Sequence, residues 1–123
     1  MFAVSTHARY ALRALQYIAR RGGEGYIPIS RIAEEEQISK KYLENIFKLL
    51  KKGGLVRSVR GPEGGYALAK HPGDISLWDI VTAADGKVRT AECIETPEIC
   101  GRYNQCGSKD IWGELQRHIE GFL

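Results

Sequence analysis

The stretch SKKYLENIFKLLKKGGLVRSVRGPEGGYALAK, residues 39–70, decides the fold of this chain. Ser39 can cap a helix over residues 40–52, in which apolar side chains recur every three or four positions and most lysines lie on the other faces. A glycine pair ends this helix. Two short strands, 55–59 and 66–69, then flank the turn sequence RGPEGG. The sequence therefore predicts a helix followed directly by a β-hairpin.

Two more helices are predicted before this stretch. An amphipathic helix spans about residues 5–21, and a shorter one, capped by Ser30, ends at a tight turn before Ser39. Two helices joined by a tight turn, the second followed by a β-hairpin, form a winged helix-turn-helix in which the hairpin is the wing. Either Gly64 or Gly65 is expected to take the positive φ that a Cβ would penalise.

The second half of the chain is predicted to hold two helices separated by a cysteine-containing loop. Ser76 can cap a short helix, residues 86–107 show no helical or strand period, and residues 108–123 form an amphipathic helix. The apolar stripe of that last helix is expected to pair with the same helix of a second copy, which gives a homodimer. The predicted fold class is mainly α with a small β-hairpin: a winged helix-turn-helix DNA-binding domain over 1–73, then a sensor segment and a long C-terminal dimerisation helix over 74–123.

Charge is distributed unevenly along the chain of 123 residues. Lys and Arg outnumber Asp and Glu by 13 to 6 in residues 1–73, but are themselves outnumbered by 9 to 5 in residues 74–123. Seven Lys or Arg and one acidic residue lie between positions 39 and 60, within the second helix of the predicted pair and its wing. Such a concentration of cations can neutralise phosphates, and it predicts binding to double-stranded DNA that weakens strongly with salt.

The candidate DNA-contacting residues divide by chemistry. Hydroxyl, amide and carboxylate groups near the start of a recognition helix can read base edges, and the candidates are Ser39, Tyr42, Glu44 and Asn45. Arg60 at the wing can enter a narrow minor groove, with Gly61 and Pro62 beside it. Tyr42 also lies close to the apolar stripe, so its pattern fits a core residue equally well. The remaining cations are assigned to phosphates: Lys40, Lys41, Lys48, Lys51, Lys52 and Arg57.

Length and composition exclude several classes of protein. A chain of this length fits one modest domain with an appended segment. No apolar run approaches the ~20 residues of a transmembrane helix, and the first residues form no secretion signal, so we expect a cytoplasmic protein with no membrane partner. Three cysteines are an odd number, which suits reduced thiols better than closed disulfides. No nucleophile, base and oxyanion group form a recognisable arrangement, so an enzyme is not expected.

The cysteines form a second candidate site. Cys93, Cys100 and Cys106 are separated by six and five residues. This spacing is wider than the CxxC pairs of structural zinc sites but suits a larger, thiolate-bound iron–sulfur cluster. Glycines beside Cys100 and Cys106 leave backbone N–H groups able to approach sulfur. The three thiols could instead be incidental, but the pattern favours a cluster held by the cysteine loop.

Several segments together resemble the IscR-type family of transcription regulators: STHARYALRALQYIA, SKKYLENIFKLLKKGGLV, SVRGPEGGYALAK and the three spaced cysteines before a helix. The resemblance covers essentially the whole chain, and VRGPEGGY is its most specific part. It implies a homodimeric winged-helix repressor or activator that senses iron–sulfur status, nitric oxide or redox conditions through a cluster, with [2Fe–2S] as the leading type. Iron–sulfur assembly genes are the implied targets. It also implies that the carboxylate of Glu44 discriminates between classes of operator.

One position departs from the best-known family pattern. The family has a histidine three residues after the third cysteine, whereas this chain has Lys109, and an ammonium group is a poor iron ligand. His118 lies about 13 Å further along the helix at 1.5 Å per residue, too far to substitute simply. The fourth ligand stays open, and three cysteines alone would also permit a [4Fe–4S] cluster. The other candidates are Glu92, Glu95, Glu98, Asp110 and His7 of a partner subunit.

A second function stays open beside the cluster-sensing regulator. The chain could be a cluster-free winged-helix repressor, controlled by thiol oxidation or by a metabolic enzyme docked on the dimer, as in family relatives tied to cysteine metabolism. A colourless protein whose DNA affinity does not change would favour this second function. The sequence carries no signature that identifies such a protein partner.

Overall fold

Helices make up most of the described part of the chain. The computed structural model describes residues 3–22, 25–90, 94 and 96–123. A single antiparallel hairpin follows the third helix, so the predicted class, mainly α with a small β-hairpin, is confirmed. The elements are α1 (Thr6–Arg20), α2 (Ile29–Glu36), α3 (Lys40–Lys52), β1 (Val56–Val59), β2 (Gly65–Leu68), α4 (Leu77–Asp85) and α5 (Lys109–Phe122).

The local capping signals are confirmed at two helices. The hydroxyl of Ser39 accepts a hydrogen bond from the backbone N–H of Tyr42 at 3.0 Å, so α3 begins where the sequence predicts. Ser76 and Asp79 form a reciprocal capping box at the start of α4. Each side chain satisfies a backbone N–H that the first helical turn leaves without a partner.

The predicted cap of α2 is wrong. Ser30 lies inside the helix, and Pro28 occupies the N-cap position with extended backbone angles. The preceding residue, Ile27, exchanges two backbone hydrogen bonds with Tyr66, of 2.8 and 2.9 Å. This pairing fixes the direction of the chain before Ser30 is reached, and the ring of Pro28 holds φ at −63°, a value that the extended backbone of the N-cap allows.

The described chain divides into two compact units. The first runs from Ala3 to Gly86 and includes α4, and the second contains Lys87–Leu123. The core of the first unit combines Ile18 of α1, Phe47 of α3 and Ile80 of α4, all at most 5% exposed. Burial of side chains of this size stabilises a fold by about 1.5–3 kcal/mol each. Helix α3 is therefore anchored to the core by its inner face, whose buried residues are Leu43, Ile46, Phe47 and Leu50.

The hairpin depends on close backbone approach at its glycines. Strands β1 and β2 pair in register from Val56↔Leu68 to Val59↔Gly65. A Cβ on Gly65 would lie 2.2 Å from the carbonyl oxygen of Ile27, and one on Gly64 would lie 2.2 Å from that of Val59. Gly65 has the predicted positive φ, at 156°, a backbone conformation that residues with a Cβ rarely adopt. Space alone explains glycine at position 64, whereas both space and backbone angle explain it at position 65.

The second unit holds α5 and, before it, residues 87–107, which we call the cysteine segment. Short 3₁₀ turns at Pro97–Ile99 and Tyr103–Gln105 interrupt the segment for which the sequence predicts a loop. Its beginning is fastened to α5, because the backbone N–H of Thr90 donates to the side-chain oxygen of Gln116 at 2.8 Å. The hydroxyl of Thr90 donates to the carbonyl of Trp112 at 2.9 Å. Within the described ranges, no helix combines the length and the apolar character needed to cross a membrane.

Candidate DNA-binding surface and cysteine segment

An exposed cationic surface covers the outer side of α3 and continues onto the wing. We call it the basic surface. Because the apolar side of α3 is buried, its charged side chains must point away from the core. A surface of this sign and length fits the phosphate backbone of a duplex. Its members are Lys40, Lys41, Lys48, Lys51, Lys52, Arg57 and Arg60, each of them at least partly exposed.

The candidate base-reading residues occupy the first turns of α3. Glu44 and Asn45 are both exposed and close in sequence to lysines of the basic surface. Ser39 is exposed too, but its oxygen is engaged as the helix cap. A carboxylate can accept from cytosine and an amide can pair with adenine, so this turn offers two complementary readers of a major groove.

Tyr42 is held between the core and the surface. It is half-buried and packs against the edge of the hydrophobic core. Its hydroxyl lies 3.1 Å from Nδ1 of His7, and the two ring centroids are 4.8 Å apart. The edge of Tyr10 meets the same ring at a centroid distance of 5.5 Å. The structure thus places Tyr42 in the first turn of α3 while tying its ring to α1.

Two contacts join α3 to the wing. Phe47 of α3 stacks on Tyr66 of β2, with centroids 4.4 Å apart and planes inclined by 25°. The Nζ atom of Lys51 donates to the hydroxyl of Ser58 on β1 at 2.8 Å. The wing cation Arg57 also lies 5.8 Å from the centroid of the Tyr26 ring. These contacts hold helix and hairpin in one arrangement, so both can meet a duplex together.

The tip of the wing is a tight turn. The N–H of Gly64 donates to the carbonyl of Gly61 at 2.9 Å, which places Pro62 and Glu63 at the two corners. Gly61 has a φ of 111°, a conformation that residues with a Cβ rarely adopt. Arg60 is exposed immediately before this turn. The tip is therefore a tight turn with an exposed arginine immediately before it, and an arginine in such a place can enter a narrow minor groove.

The cysteine candidates are described only in part. Cys93 lies outside the described residues, whereas Cys100 is an exposed free thiol and Cys106 a half-buried one. Among the residues that the structure describes, no three histidine, cysteine or acidic side chains are gathered into a metal site. The described segment therefore brings two free cysteines into the second unit without a complete set of ligands.

Cys106 has a polar environment that favours its thiolate. The Ser108 hydroxyl lies 3.1 Å from its sulfur. Hydrogen bonds from that hydroxyl and from the Ser108 backbone N–H lower the pKa of the Cys106 thiol, with smaller help from Lys109 and against partial burial. A thiolate is the form that binds iron. Cys106 therefore has the chemistry that a cluster ligand needs.

Lys109, which occupies the position of the expected histidine, is engaged elsewhere. Its Nζ atom lies 4.5 Å from the centroid of the Tyr103 ring, within the range of a cation–π contact. An ammonium group has no lone pair to give to a metal while it is charged. Lys109 thus supplies a cation beside Cys106 and leaves the fourth ligand unassigned.

Two contacts near these sites have no clear sequence signal. His7 lies 35 residues from Tyr42, and Thr90 lies 26 residues from Gln116. Periodicity identifies which face of a helix is buried, but it does not identify a polar partner on another element. The sequence shows only that His7 lies in the first turn of an amphipathic helix.

Comparisons with a family profile, with related sequences and with solved structures agree with one another. A family profile described as Rrf2, an iron-dependent transcriptional regulator, matches residues 4–123. The HTH-type transcriptional regulators IscR of Serratia proteamaculans (strain 568) and of Yersinia pestis are each 38% identical over 120 residues, which cover 98% of this chain and 73% of theirs. Among solved structures, CymR (YrzC), the global cysteine regulator of B. subtilis, has a TM-score of 0.76 at 29% identity and covers 98% of this chain and 88% of its own. The IscR of T. potens has a TM-score of 0.75 at 34% identity, over 99% and 80%.

Proposed function

Because the chain belongs to the Rrf2 family of transcriptional regulators, we propose that it binds operator DNA as a homodimer and that a cluster on its cysteine segment controls this binding. The observation that carries the first part is the basic surface, whose exposed cations lie on both α3 and the wing. The contacts Phe47–Tyr66 and Lys51–Ser58 support a joint approach of both elements to one duplex.

Residue roles follow from position and chemistry. Asn45, Glu44, Ser39 and the hydroxyl of Tyr42 meet base edges in the major groove, while Arg60, with Gly61 and Pro62, follows the minor groove. The phosphate contacts fix the register of the protein on DNA but carry no sequence information. They are assigned to Lys40, Lys41, Lys48, Lys51, Lys52 and Arg57.

Two substitutions separate base reading from phosphate binding. An operator is first selected from a pool of random duplexes, and its dissociation constant is measured by fluorescence anisotropy at fixed salt. Asn45→Ala should weaken the operator selectively, by roughly 5- to 100-fold for the removal of a bidentate base contact. Lys48→Ala should weaken operator and unrelated duplexes alike. Arg102→Ala removes an exposed cation of the second unit and serves as the matched control. Equal effects of all three would contradict the assignment.

The homodimer is proposed on the apolar face of α5. Ile111 is 62% exposed, Leu115 44% and Phe122 84%, and these positions share one side of the helix. A contiguous exposed apolar stripe of this kind is typical of an interface. Leu115→Glu should convert a dimer into a monomer in sedimentation equilibrium, whereas Arg117→Glu, on the opposite side, should not. A wild type that stays monomeric at micromolar concentration would contradict the dimer.

The cluster is proposed on Cys93, Cys100 and Cys106, with [2Fe–2S] as the leading type. Support comes from the thiolate chemistry of Cys106, from the two free thiols and from the iron-dependent description of the family. When bound, such a cluster supplies a redox-active iron centre. In this chain the cysteines would hold it, Ser108 would donate a hydrogen bond to the Cys106 sulfur, and Lys109 would place a positive charge nearby. Iron–sulfur assembly genes are the proposed targets.

Anaerobic purification tests this part directly. Visible absorption, iron and acid-labile sulfide are measured on the wild type and on a triple variant, Cys93→Ser, Cys100→Ser and Cys106→Ser. Colour with stoichiometric sulfide in the wild type alone is expected. Lys109→His is an informative companion, because it restores a histidine ligand and should alter the spectrum if the fourth position is open. A protein that stays colourless after reconstitution would overturn the cluster.

A second candidate function is favoured by the likeness to CymR, named the global cysteine regulator of B. subtilis. In this second function the chain is a cluster-free repressor, controlled by thiol oxidation or by a docked metabolic enzyme. A colourless wild type that still selects an operator would support it. Diamide treatment that changes operator affinity in the wild type, but not in the triple serine variant, would then assign control to the thiols.

A further inference from the structure

The first turn of α1 meets the first turn of α3 through an aromatic cluster. Nδ1 of His7 and the hydroxyl of Tyr42 are 3.1 Å apart. The His7 and Tyr42 rings are inclined by 35°, and the Tyr10 ring meets the Tyr42 ring in a T-shaped arrangement at 75°. A tyrosine on a protein surface normally samples several rotamers. Here one hydrogen bond and two ring contacts confine its phenol.

The confined phenol stands among the proposed base readers. Tyr42 is the third residue of α3, and its backbone N–H is capped by Ser39. Glu44 and Asn45 follow within the same helical turn and are exposed. The orientation of Tyr42 therefore bears on what the first turn of α3 presents to a major groove. His7 contacts the Tyr42 hydroxyl from a different helix, α1.

We propose that His7 is a positioning residue for operator reading, which fixes the phenol of Tyr42 through the contact between Nδ1 and the hydroxyl. The proposal rests on the proposed DNA-binding function of α3. It assigns His7 an effect on discrimination between sequences, with no contact of its own to a base. Either direction of the hydrogen bond serves, because imidazole Nδ1 can accept or donate according to its tautomer.

The two amide side chains distinguish this role from simple packing. The polar atoms of asparagine stand where Nδ1 of histidine does, whereas those of glutamine stand nearer to Nε2. His7→Asn should therefore preserve the contact to Tyr42, and His7→Gln should remove it. If His7 only packed against Tyr42, the effect of each variant would follow the volume of its side chain. The position of the amide polar atoms would then give His7→Asn no advantage over His7→Gln.

The experiment uses the operator selected by the wild type, its single-base variants within the half-site, and an unrelated duplex. Dissociation constants are measured at one pH and one salt concentration. His7→Ala and His7→Gln are expected to weaken the operator about 3- to 10-fold, the range of one neutral hydrogen bond, with little change on the unrelated duplex. His7→Asn should stay within about 2-fold of the wild type. His71→Ala, which removes an exposed histidine outside α1, α3 and α5, is the matched control.

A double-mutant cycle completes the test. Tyr42→Phe removes the hydroxyl and keeps the ring, and His7→Ala should add nothing in that background. Additive effects, or equal decreases of affinity for every duplex, would overturn the proposal. The proposal would also fail if His7→Asn and His7→Gln lowered operator affinity equally and in proportion to their thermal unfolding midpoints. A wild type that selects no duplex at all would instead refute the proposed DNA-binding function.

Discussion

Tyr17 is buried in the core of the first unit, yet its hydroxyl donates a hydrogen bond to Glu35 of α2. The guanidinium of Arg21 lies 3.7 Å from the centroid of the Tyr17 ring and 3.4 Å from Glu35 Oε2. A buried phenol needs a partner for its polar end, and a carboxylate next to a cation is a strong acceptor. This group of three side chains therefore links α1 to α2.

The contact makes stability depend on pH. The hydrogen bond from Tyr17 and then the charges of Arg21 and Arg31 lower the pKa of Glu35, against some burial. A carboxyl whose folded pKa is depressed contributes stability above its unfolded value, near 4.5, and loses it as pH falls through the folded value. Glu35→Gln should therefore unfold at a lower temperature than the wild type at pH 7, and the gap should close towards about pH 3.

Thermal unfolding followed by circular dichroism measures this prediction. Glu34→Gln, an exposed neighbour in the same helix, is the control and should leave the midpoint near that of the wild type. A gap between Glu35→Gln and the wild type that persists unchanged at the acidic end of the range would show that ionisation of Glu35 is not the cause.

At the scale of elements, the wing is secured by the approach of β2 to Ile27. A Cβ on Gly65 would lie 2.2 Å from the Ile27 carbonyl oxygen, which accepts the N–H of Tyr66 at 2.8 Å. Gly65→Ala should therefore displace the hairpin, at a cost of about 1–3 kcal/mol, the range for overpacking. Urea unfolding measures the decrease in stability, and operator affinity should fall with it.

Gly22→Ala is the matched control for the wing. Apart from its immediate neighbours along the chain, no described atom lies within 4 Å of the Cβ position at Gly22. Equal stability of Gly65→Ala and Gly22→Ala would mean that the close approach at Ile27 does not constrain the wing.

The elements also show what the sequence can and cannot predict. Ser39 and Ser76 cap their helices through residues three positions away, so the pattern alone locates both helix starts. Ser30 fails as a cap because Ile27 pairs with Tyr66, a partner 39 residues away that no local pattern reveals. The distinction between local pattern and long-range contact also applies to the candidate DNA-binding residues. Exposed lysines follow from helical period, but the link between His7 and Tyr42 depends on how α1 packs against α3.

At the scale of the whole molecule, the uneven charge predicts the salt dependence of binding. Six cations in each subunit are assigned to phosphates. If four of them displace counterions in each subunit, a dimer neutralises about eight phosphates. The logarithm of the association constant should then fall against the logarithm of the salt concentration with a slope of about −7. Anisotropy titrations on one operator between low and physiological salt measure this slope.

A paired variant checks the origin of the slope. Lys48→Ala should make it shallower by about 1 for each phosphate that is no longer neutralised, hence by about 2 in a dimer. Asp74→Asn changes an exposed charge outside the basic surface and is the control. A slope near zero would contradict a phosphate-based mode of binding.

The bridge at Ile27 has a consequence for the behaviour of the protein in a crowded solution. A two-stranded hairpin offers open edges to which a strand of another molecule can add. Ile27 covers the β2 edge at Tyr66 with two backbone hydrogen bonds, and the exposed Arg57 places a charge on β1. The bridge therefore blocks the addition of a strand at this point of the β2 edge, and we expect the same few residues that hold the shape of the wing to limit cross-molecular sheet formation.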